Sequence, residues 1–327
     1  MRAVWYERFG LSDAVLSSGT LPTPKPTPGE VLVRLSFSGV NPSDAKARAG
    51  ARPGVTKPAF EQIIPHSDGA GIIEAVSDGV NPARVGEAVW IWNGQWQRAF
   101  GTAAEYIALP SEQAVQLPDG VSQQVGASLG IPGLTACHTV FGGGEVRGKT
   151  LLISGAAGSV GFNALQLAKW GGAKVIATAS PAAFDDLRAA GADHVFDYSG
   201  PDLAAEILEA SGGGLDRAVE VEFGQNAALL AEVMKPLGTI AAYGSGKDMT
   251  PEFPFGSFLF KALKLDITLI YILPNAERRA AIERLHQALL DGALTPEIHA
   301  ILPLEKCAAA HDMVMTAGRR GSVLLEL

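Results

Sequence analysis

The chain has 327 residues, a net charge of −8 and 47% hydrophobic residues. At roughly 100–200 residues per domain this length predicts two domains, and an acidic balance with no basic run argues against nucleic-acid binding. Its two cysteines, Cys137 and Cys307, exclude a disulfide framework and a four-cysteine zinc site. No apolar run reaches the ~18 residues that span a bilayer, and residues 1–6 have the pattern of a strand rather than of a signal peptide, so we expect a cytoplasmic protein.

The first third of the chain has the pattern of an all-β unit. Short apolar runs are separated by Pro and Gly, and the clearest of them is 31–37, which follows the proline-rich turn 22–29. The other predicted strands are 71–76, 87–92 and 104–109. This pattern changes near Gln124.

Beyond Gln124, apolar runs alternate with helical patterns. The predicted strands are 150–154, 174–178, 194–196, 217–221 and 239–243. The predicted helices between them are 160–170, 184–190, 203–210 and 226–234. This alternation predicts an α/β domain with a doubly wound parallel sheet. The tail adds a predicted strand, two helices and a last short strand: 265–272, 276–290, 306–317 and 322–325.

A glycine-spaced turn follows the predicted strand 150–154. It consists of Gly155, Ala156, Ala157, Gly158, Ser159, Val160 and Gly161. Gly155 permits a sharp turn, Gly158 lets the backbone approach a pyrophosphate, and Gly161 lets the helix pack closely on the strand. Because a helix N-terminus offers N–H groups to phosphates, the turn predicts a dinucleotide-binding site. The alternative is a tight turn with only a structural role.

The end of the next strand indicates which dinucleotide is bound. An NAD site usually has an Asp or Glu about 20 residues further on, which binds the ribose 2′-hydroxyl. This chain has no carboxylate at 178–181, where Thr178 and Ser180 are the candidate cofactor contacts. Since nothing there repels a 2′-phosphate and Ser180 can donate to one, we expect NADPH rather than NADH. No Arg or Lys lies in that loop, and Arg188 is equally consistent with a solvated charge.

Four landmarks along the chain carry a family resemblance. They are Gly-Val-Asn-Pro-Ser-Asp at 39–44, Ser-Asp-Gly-Ala-Gly-Ile-Ile-Glu-Ala-Val at 67–76, Gly-Leu-Thr-Ala at 133–136 and the glycine turn at 155–161. In them the chain resembles the medium-chain dehydrogenase/reductase superfamily, in its zinc-free quinone oxidoreductase (zeta-crystallin-like) branch. The resemblance implies a GroES-like, mainly β catalytic domain, 1–125 plus 269–327. A Rossmann dinucleotide-binding domain, 126–268, is inserted in it.

The resemblance also bears on metal binding. Zinc enzymes of the superfamily hold a catalytic metal at three positions, which match Asn41, Ser67 and Ile131 here. Since an amide, a hydroxyl and an alkyl group cannot replace thiolate or imidazole ligands, we expect no catalytic metal. His66 lies one residue before the second position, and in an extended segment a one-residue shift turns the side chain to the opposite side. We therefore expect His66 to be a hydrogen-bonding residue and not a ligand.

Without a metal, the resemblance implies hydride or electron transfer from NADPH to an electrophilic small molecule, such as a quinone. The candidate catalytic residues are Asn41, Asp44 and Thr135. The Asn41 amide can contact the nicotinamide ribose or an acceptor oxygen, and Asp44 either orients Asn41 or caps the helix at 45–49. Thr135 either anchors the cofactor or is a hydroxyl at a helix start. Two alternatives are reduction of enal or enone double bonds and, in another class, a cofactor-binding regulatory or RNA-binding crystallin-type protein.

The remaining candidates are expected to contact the cofactor. The fifth strand of the doubly wound sheet ends at Tyr243, Gly244 and Ser245, where glycines and a hydroxyl can approach a dinucleotide. The resemblance adds Tyr198 near the adenosine phosphate, with Ser199 in place of the usual basic residue. It also adds Ile272 and Leu273 near the nicotinamide.

Aromatic residues and an apolar segment suggest where an acceptor and a partner would bind. The branch often has an aromatic residue after the 39–44 landmark, but 45–48 contains none. Trp96, in a polar glycine turn, is the candidate replacement in the substrate cleft, and a surface or dimer contact is the alternative. Cys137 is expected to be a small buried side chain. The apolar segment 265–271 can pair edge to edge, which favours a homodimer.

Overall fold

The computed structural model describes residues 1–51 and 54–327. Its strands are β1 (Arg2–Trp5), β2 (Ser17–Thr20), β3 (Glu30–Val40), β4 (Asp68–Val76), β5 (Ala88–Ile91), β6 (Tyr106–Pro110), β7 (Ala114–Gln116), β8 (Thr150–Ile153), β9 (Lys174–Ala179), β10 (His194–Asp197), β11 (Leu215–Glu220), β12 (Met234–Ala242), β13 (Lys264–Ile267), β14 (Ile298–Pro303) and β15 (Ser322–Glu326). Its α-helices are α1 (Ser12–Val15), α2 (Pro42–Arg48), α3 (Gln123–Gly126), α4 (Leu134–Phe141), α5 (Ser159–Trp170), α6 (Phe184–Ala189), α7 (Leu203–Ser211), α8 (Phe223–Val233), α9 (Phe255–Lys261), α10 (Asn275–Leu290) and α11 (Cys307–Met315).

The first compact unit comprises Met1–Ile131 and Pro296–Leu327. Its main sheet has the strand order β14-β15-β3-β4-β5-β7, and β6 pairs with β3. Strand β3 alternates apolar and polar residues, and Val31, Val33 and Leu35 point into a buried apolar cluster. The four predicted strands of the first third are confirmed as β3 to β6.

The second compact unit comprises Pro132–Thr295. Its six parallel strands have the order β10-β9-β8-β11-β12-β13. All four residues of β8 are buried, as expected for a parallel strand covered by helices on both faces. The predicted fold class, a doubly wound parallel sheet in one unit and a mainly β structure in the other, is therefore confirmed.

The boundaries of the units differ from the expected 1–125 plus 269–327 and 126–268. The segment 269–295 belongs to the unit with the parallel sheet, because α10 packs against α4. The Cys137 thiol on α4 lies 3.4 Å from the Ala281 carbonyl oxygen on α10. Residues 126–131 remain with the first unit, where the Ile131 N–H donates to the Asp68 side chain.

Several predicted elements of the chain have different bounds in the structure, among them the strand at 265–272 and the helices at 45–49 and 306–317. The strand expected at 265–272 ends at Ile267 and is followed by a 3₁₀-helix, Ile270–Ile272. Helix α2 starts at Pro42 instead of residue 45, because proline is well suited to the first position of a helix. Helix α11 ends at Met315 instead of residue 317. Within the described residues, every helix is too short or too polar to cross a membrane.

Candidate functional site

The glycine turn between β8 and α5 has the backbone geometry that its sequence predicts. Gly155 has a φ of +61°, a region that side chains with a Cβ rarely adopt. A Cβ on Gly161 would lie 2.5 Å from the Gly155 carbonyl oxygen, so the helix packs directly on the turn. The conformations of Gly155 and Gly161 therefore agree with the sharp turn and the close helix packing expected from the sequence.

The start of α5 fits a cofactor phosphate. A Cβ on Gly158 would have the Gly155 oxygen, 3.5 Å away, as its nearest neighbour among the described residues, so this side of the turn is open. Helix α5 begins at Ser159, and its first N–H groups have no intrahelical acceptor. Open backbone and N–H groups together suit a diphosphate. Ala156 closes the turn by donating its N–H to the Thr178 carbonyl oxygen, at 2.9 Å.

A groove of about 370 Å³ lies at the carboxyl ends of the central strands. Its walls include Gly155 and Tyr198, which were predicted, and Glu222 and Lys247, which were not. The groove lies beside β8 and β11, where the strand order changes direction, and ligands of doubly wound sheets bind at this point. Lys247 brings a positive charge to the groove from a loop that local sequence reasoning did not connect with it.

Glu220 is a buried carboxylate beneath this groove that sequence reasoning missed. Its Oε1 accepts hydrogen bonds from Ser154 Oγ (3.0 Å), Asn226 Nδ2 (3.0 Å) and the Glu222 N–H (2.5 Å). Its Oε2 has no hydrogen-bond partner among the described atoms. Burial raises the pKa of Glu220 because it disfavours the charged form. The carboxyl fixes the side chains of Ser154 and Asn226, both of which line the groove.

The end of β9 contains the residues expected to select the cofactor. Thr178 is buried and Ser180 is half-buried, directly before the 3₁₀-helix Pro181–Ala183. Arg188 is paired with Asp185 at 3.1 Å on the exposed side of α6. This pairing agrees with the solvated-charge alternative for Arg188.

The other expected cofactor contacts differ in exposure. Tyr243 and Gly244 follow β12, and the Tyr243 N–H donates to the Glu220 carbonyl oxygen at 3.0 Å. The Ser245 hydroxyl accepts the Gly224 N–H at 2.9 Å and donates to the Asp248 carbonyl oxygen, so it holds its own loop together. Ile272 is 64% exposed, whereas Leu273 is buried.

In the first unit, Asn41 belongs to a buried polar cluster. Its Nδ2 donates to Asp68 Oδ2 at 2.8 Å, and the Ile131 N–H donates to both Asp68 oxygens at 2.9 Å. Asp68 is 1% exposed, and burial raises its pKa well above the usual value. Sequence reasoning missed Asp68, although it lies in the 67–76 landmark. The Asp68 carboxyl thus joins two of the three positions that match the zinc ligands of the superfamily, Asn41 and Ile131.

Asp44 occupies the first turn of α2. Its Oδ2 accepts the Asn41 backbone N–H at 2.8 Å, so it stabilises the start of the helix. This contact agrees with the helix-capping alternative for Asp44. The same hydrogen bond also holds the backbone of Asn41, the residue that Asp44 was otherwise expected to orient.

Thr135 and Cys137 both lie on α4 in the second unit. Thr135 is the second residue of α4 and is 4% exposed. Cys137 is buried, and burial raises the pKa of its thiol to about 12, which agrees with a small apolar role.

Trp96 lines an apolar cavity of about 220 Å³ in the first unit. Other walls of the cavity are Tyr6, Phe9 and Phe60. An aromatic-lined pocket of this kind suits a flat apolar ligand. Trp90 on β5 and Trp92, just after the end of that strand, are instead buried.

Comparisons with known proteins agree with this fold and these landmarks. One family model, described as an alcohol dehydrogenase GroES-like domain, matches residues 27–119. A second, described as a zinc-binding dehydrogenase, matches residues 159–287. The quinone oxidoreductase of Rattus norvegicus is 28% identical over 331 residues, which cover 100% of this chain and 98% of the relative.

Two solved structures are similar over their full lengths. An NAD-dependent alcohol dehydrogenase has a TM-score of 0.90 at 27% identity, and the match covers 100% of both chains. A mycobacterial protein complexed with NADPH has a TM-score of 0.87 at 27% identity, again over 100% of both chains. The chain belongs to the medium-chain dehydrogenase/reductase superfamily, in its quinone oxidoreductase branch.

Proposed function

We propose that this protein reduces quinones with NADPH and without a catalytic metal. The observation that carries the proposal is the hydrogen-bonded cluster of Asn41, Asp68 and Ile131. At two of the three positions where zinc relatives have ligands, this chain has an amide side chain and a backbone N–H that both donate to one carboxyl group. N–H groups that donate hydrogen bonds are not metal ligands, since Zn²⁺ takes thiolate, imidazole or carboxylate ligands.

The second unit contains the proposed cofactor groove. The backbone of 155–161 and the start of α5 would bind the diphosphate, and Thr178, Tyr198, Tyr243 and Gly244 would line the remainder. Ser180 and Lys247 would contact a 2′-phosphate, because a hydroxyl donates to it and an ammonium attracts it. The Glu222 carboxylate also lines the groove. It accepts hydrogen bonds from the backbone N–H groups of Gly246 and Lys247, which partly compensate its negative charge. When bound, NADPH supplies the hydride.

Asn41 and Thr135 are the proposed catalytic residues. Because one N–H of the Asn41 amide donates to Asp68, the orientation of the amide is set, and its other N–H can donate to a ribose or acceptor oxygen. Asp68 and Asp44 act through Asn41 and are therefore positioning residues. The aromatic cavity at Trp96 is the proposed place for the acceptor ring.

A screen of acceptors tests this function. NADPH oxidation is measured with 1,4-benzoquinone, 9,10-phenanthrenequinone, 2-alkenals and enones, with NADH as the paired control. We expect quinones to be reduced fastest and NADPH to be the better donor. Turnover of alkenals alone would assign the protein to double-bond reduction. Salt-dependent RNA retention without a thermal shift on adding NADPH would assign it to the binding class.

We also propose that the protein is a homodimer that joins through β13. This strand pairs with β12 on one side and is the last strand of its sheet. Ile267 on β13 is 76% exposed, and Phe260 on the preceding helix α9 is 90% exposed. A dimer would cover this apolar edge. Sedimentation should give a dimer mass for the wild type and a monomer for Ile267→Lys, whereas a wild-type monomer would contradict the proposal.

A further inference from the structure

Three side chains that can bind a metal meet in the first unit, and none of them belongs to the Asn41, Asp68 and Ile131 cluster. His66 Nε2, His311 Nε2 and Cys307 Sγ all lie within 4.8 Å of one another. The two Nε2 atoms are 2.9 Å apart, and Cys307 Sγ is 3.8 Å from His66 Nε2. Both histidines are 0% exposed and Cys307 is 1% exposed. Cys307 and His311 are four residues apart on α11 and therefore share one face of the helix.

A chain of hydrogen bonds sets the tautomer of His66. Thr102 Oγ1 donates its single hydrogen to the Asp68 carbonyl oxygen, at 2.5 Å. Ser38 Oγ, 2.8 Å from Thr102 Oγ1, must then donate to it, and so accepts from His66 Nδ1 at 2.9 Å. His66 thus carries its hydrogen on Nδ1 and turns the lone pair of Nε2 toward His311 and Cys307. Metal-bound histidines have this arrangement, with the second ring nitrogen donating to an outer partner.

The hydrogen bond to His66 places the hydrogen of His311 on Nε2, and this is the single contact that sets its tautomer among the described atoms. His311 Nδ1 is buried and has no hydrogen-bond partner among the described atoms. Moving its hydrogen from Nε2 to Nδ1 breaks one hydrogen bond, the one to His66, and frees a second imidazole lone pair. Two lone pairs and one thiol then face the same point.

We propose that His66, Cys307 and His311 form a binding site for a soft transition-metal ion, and that this ion is Cu⁺. With metal–nitrogen and metal–sulfur bonds of about 2.0 and 2.3 Å, the ligand atoms of a trigonal three-ligand site lie about 3.5 Å (N to N) and about 3.7 Å (N to S) apart. The observed separation of 3.8 Å between Cys307 Sγ and His66 Nε2 matches this geometry. The two Nε2 atoms, 2.9 Å apart, must separate by about 0.6 Å when the metal replaces the hydrogen bond between them. Binding forms two metal–nitrogen bonds and one metal–sulfur bond, and the Cys307 proton leaves to solvent.

The charge and number of the ligands favour Cu⁺ over Zn²⁺. One thiolate cancels the charge of Cu⁺, whereas Zn²⁺ with the same ligands leaves a net positive charge in a buried place, which is costly. Thiolate and imidazole are ligands for both ions, but a structural zinc site has four protein ligands, whereas this cluster has three. The site uses none of the three positions that match the zinc ligands of the superfamily. It therefore adds to the proposed reductase function and does not depend on it.

Anaerobic titration of the reduced full-length protein with Cu⁺, against a competing chelator, tests the site. We expect one copper ion per chain, with near-ultraviolet absorption from a copper–thiolate bond, and weaker retention of Zn²⁺ in a parallel titration. Cys307→Ala should abolish the absorption, and Ser38→Ala should weaken binding by at least about tenfold because the His66 tautomer is no longer set. Cys137→Ala removes the other buried thiol and should bind as the wild type does.

Three results would overturn the proposal. They are a wild type that retains no copper against the chelator, a Cys307→Ala variant that binds as tightly as the wild type, and retention of Zn²⁺ but not Cu⁺. The wild-type titration decides the matter even if a variant fails to fold.

Discussion

The glycine turn and the Asp68 cluster are built in opposite ways. The turn consists of seven consecutive residues whose backbone forms its shape, with Gly155 at positive φ and Gly161 in contact with the turn. The Asp68 cluster joins side chains and a backbone N–H that are 27 and 63 positions apart. Substitutions should therefore damage the turn through shape and the cluster through lost hydrogen bonds.

The largest effect is expected for Gly161→Ala. The new methyl group would lie 2.5 Å from the Gly155 oxygen and 2.8 Å from Ala156 Cα, so the turn must shift. We expect a loss of about 3 kcal/mol in unfolding free energy and at least tenfold weaker NADPH binding. Denaturant titration and NADPH fluorescence measure these quantities.

Gly256→Ala is the matched control for that substitution. Gly256 is also helical, but a Cβ there meets nothing within 4 Å among the described residues. This variant should be unchanged or stabilised by up to about 1 kcal/mol. Equal effects of the two substitutions would refute the close-packing role of Gly161.

The next effect is expected for Asp68→Ala. The change leaves the Ile131 N–H and the Asn41 amide without their acceptor, at a cost of about 2 kcal/mol in unfolding free energy. With Asn41 no longer oriented, kcat for quinones should fall at least about tenfold while the KM for NADPH stays the same. Asp78→Ala, at an exposed turn, should change stability by less than about 0.5 kcal/mol. A higher KM with normal kcat would argue against a positioning role.

The pH dependence of stability should reveal Glu220. Burial raises the pKa of Glu220 in the folded chain above 4.5, the ordinary value that holds in the unfolded chain. At a pH between 4.5 and the folded-state pKa, the folded chain therefore holds a proton that the unfolded chain has lost. Wild-type stability therefore falls as pH rises through this window, by about 1.4 kcal/mol per pH unit.

Glu220→Gln should not show that fall, because its amide does not titrate. Its unfolding free energy, relative to the wild type, should increase from pH 4 to pH 8 in denaturant titrations. Glu209→Gln, an exposed position in the same unit, should follow the wild-type curve. Parallel curves for Glu220→Gln and the wild type would show that Glu220 does not titrate abnormally.

The smallest effect is expected for Lys247→Gln. Loss of one ammonium from the groove should raise the KM for NADPH by about fivefold, which corresponds to about 1 kcal/mol. The KM for NADH should change little, because NADH has no 2′-phosphate. Lys149→Gln, at an exposed position in the same unit, serves as the control. Equal changes in KM for NADPH and NADH would show that Lys247 does not distinguish the two cofactors.

Local features of the chain were predictable because their signals lie in adjacent residues. The strand β8, the turn at 155–161 and the helix α5 follow from an apolar run, spaced glycines and a helical pattern. Cys137 was expected to be a small buried side chain because free cysteines commonly are, and it is buried. The boundary at 269 was placed too early, since only the packing of α10 on α4 assigns that segment to the second unit.

Contacts between distant residues were not predictable in this way. Asp68 was part of a recognised landmark, but its partners Asn41 and Ile131 are set by the fold. His66 was correctly expected to form hydrogen bonds, and its partner His311 lies 245 positions away. The copper site proposed above would reverse the other half of that expectation, that His66 is not a ligand. Lys247 reaches the groove from a loop after β12, and only the strand order places that loop beside Gly155.

The most direct test of metal-independent quinone reduction is one rate measurement. The protein is dialysed against a strong chelator, and NADPH oxidation by 1,4-benzoquinone is compared before and after. The arrangement of Asn41, Asp68 and Ile131 predicts the same rate in both samples and no oxidation of alcohols with NADP⁺. A rate that is lost with the chelator and restored by Zn²⁺ would contradict this account.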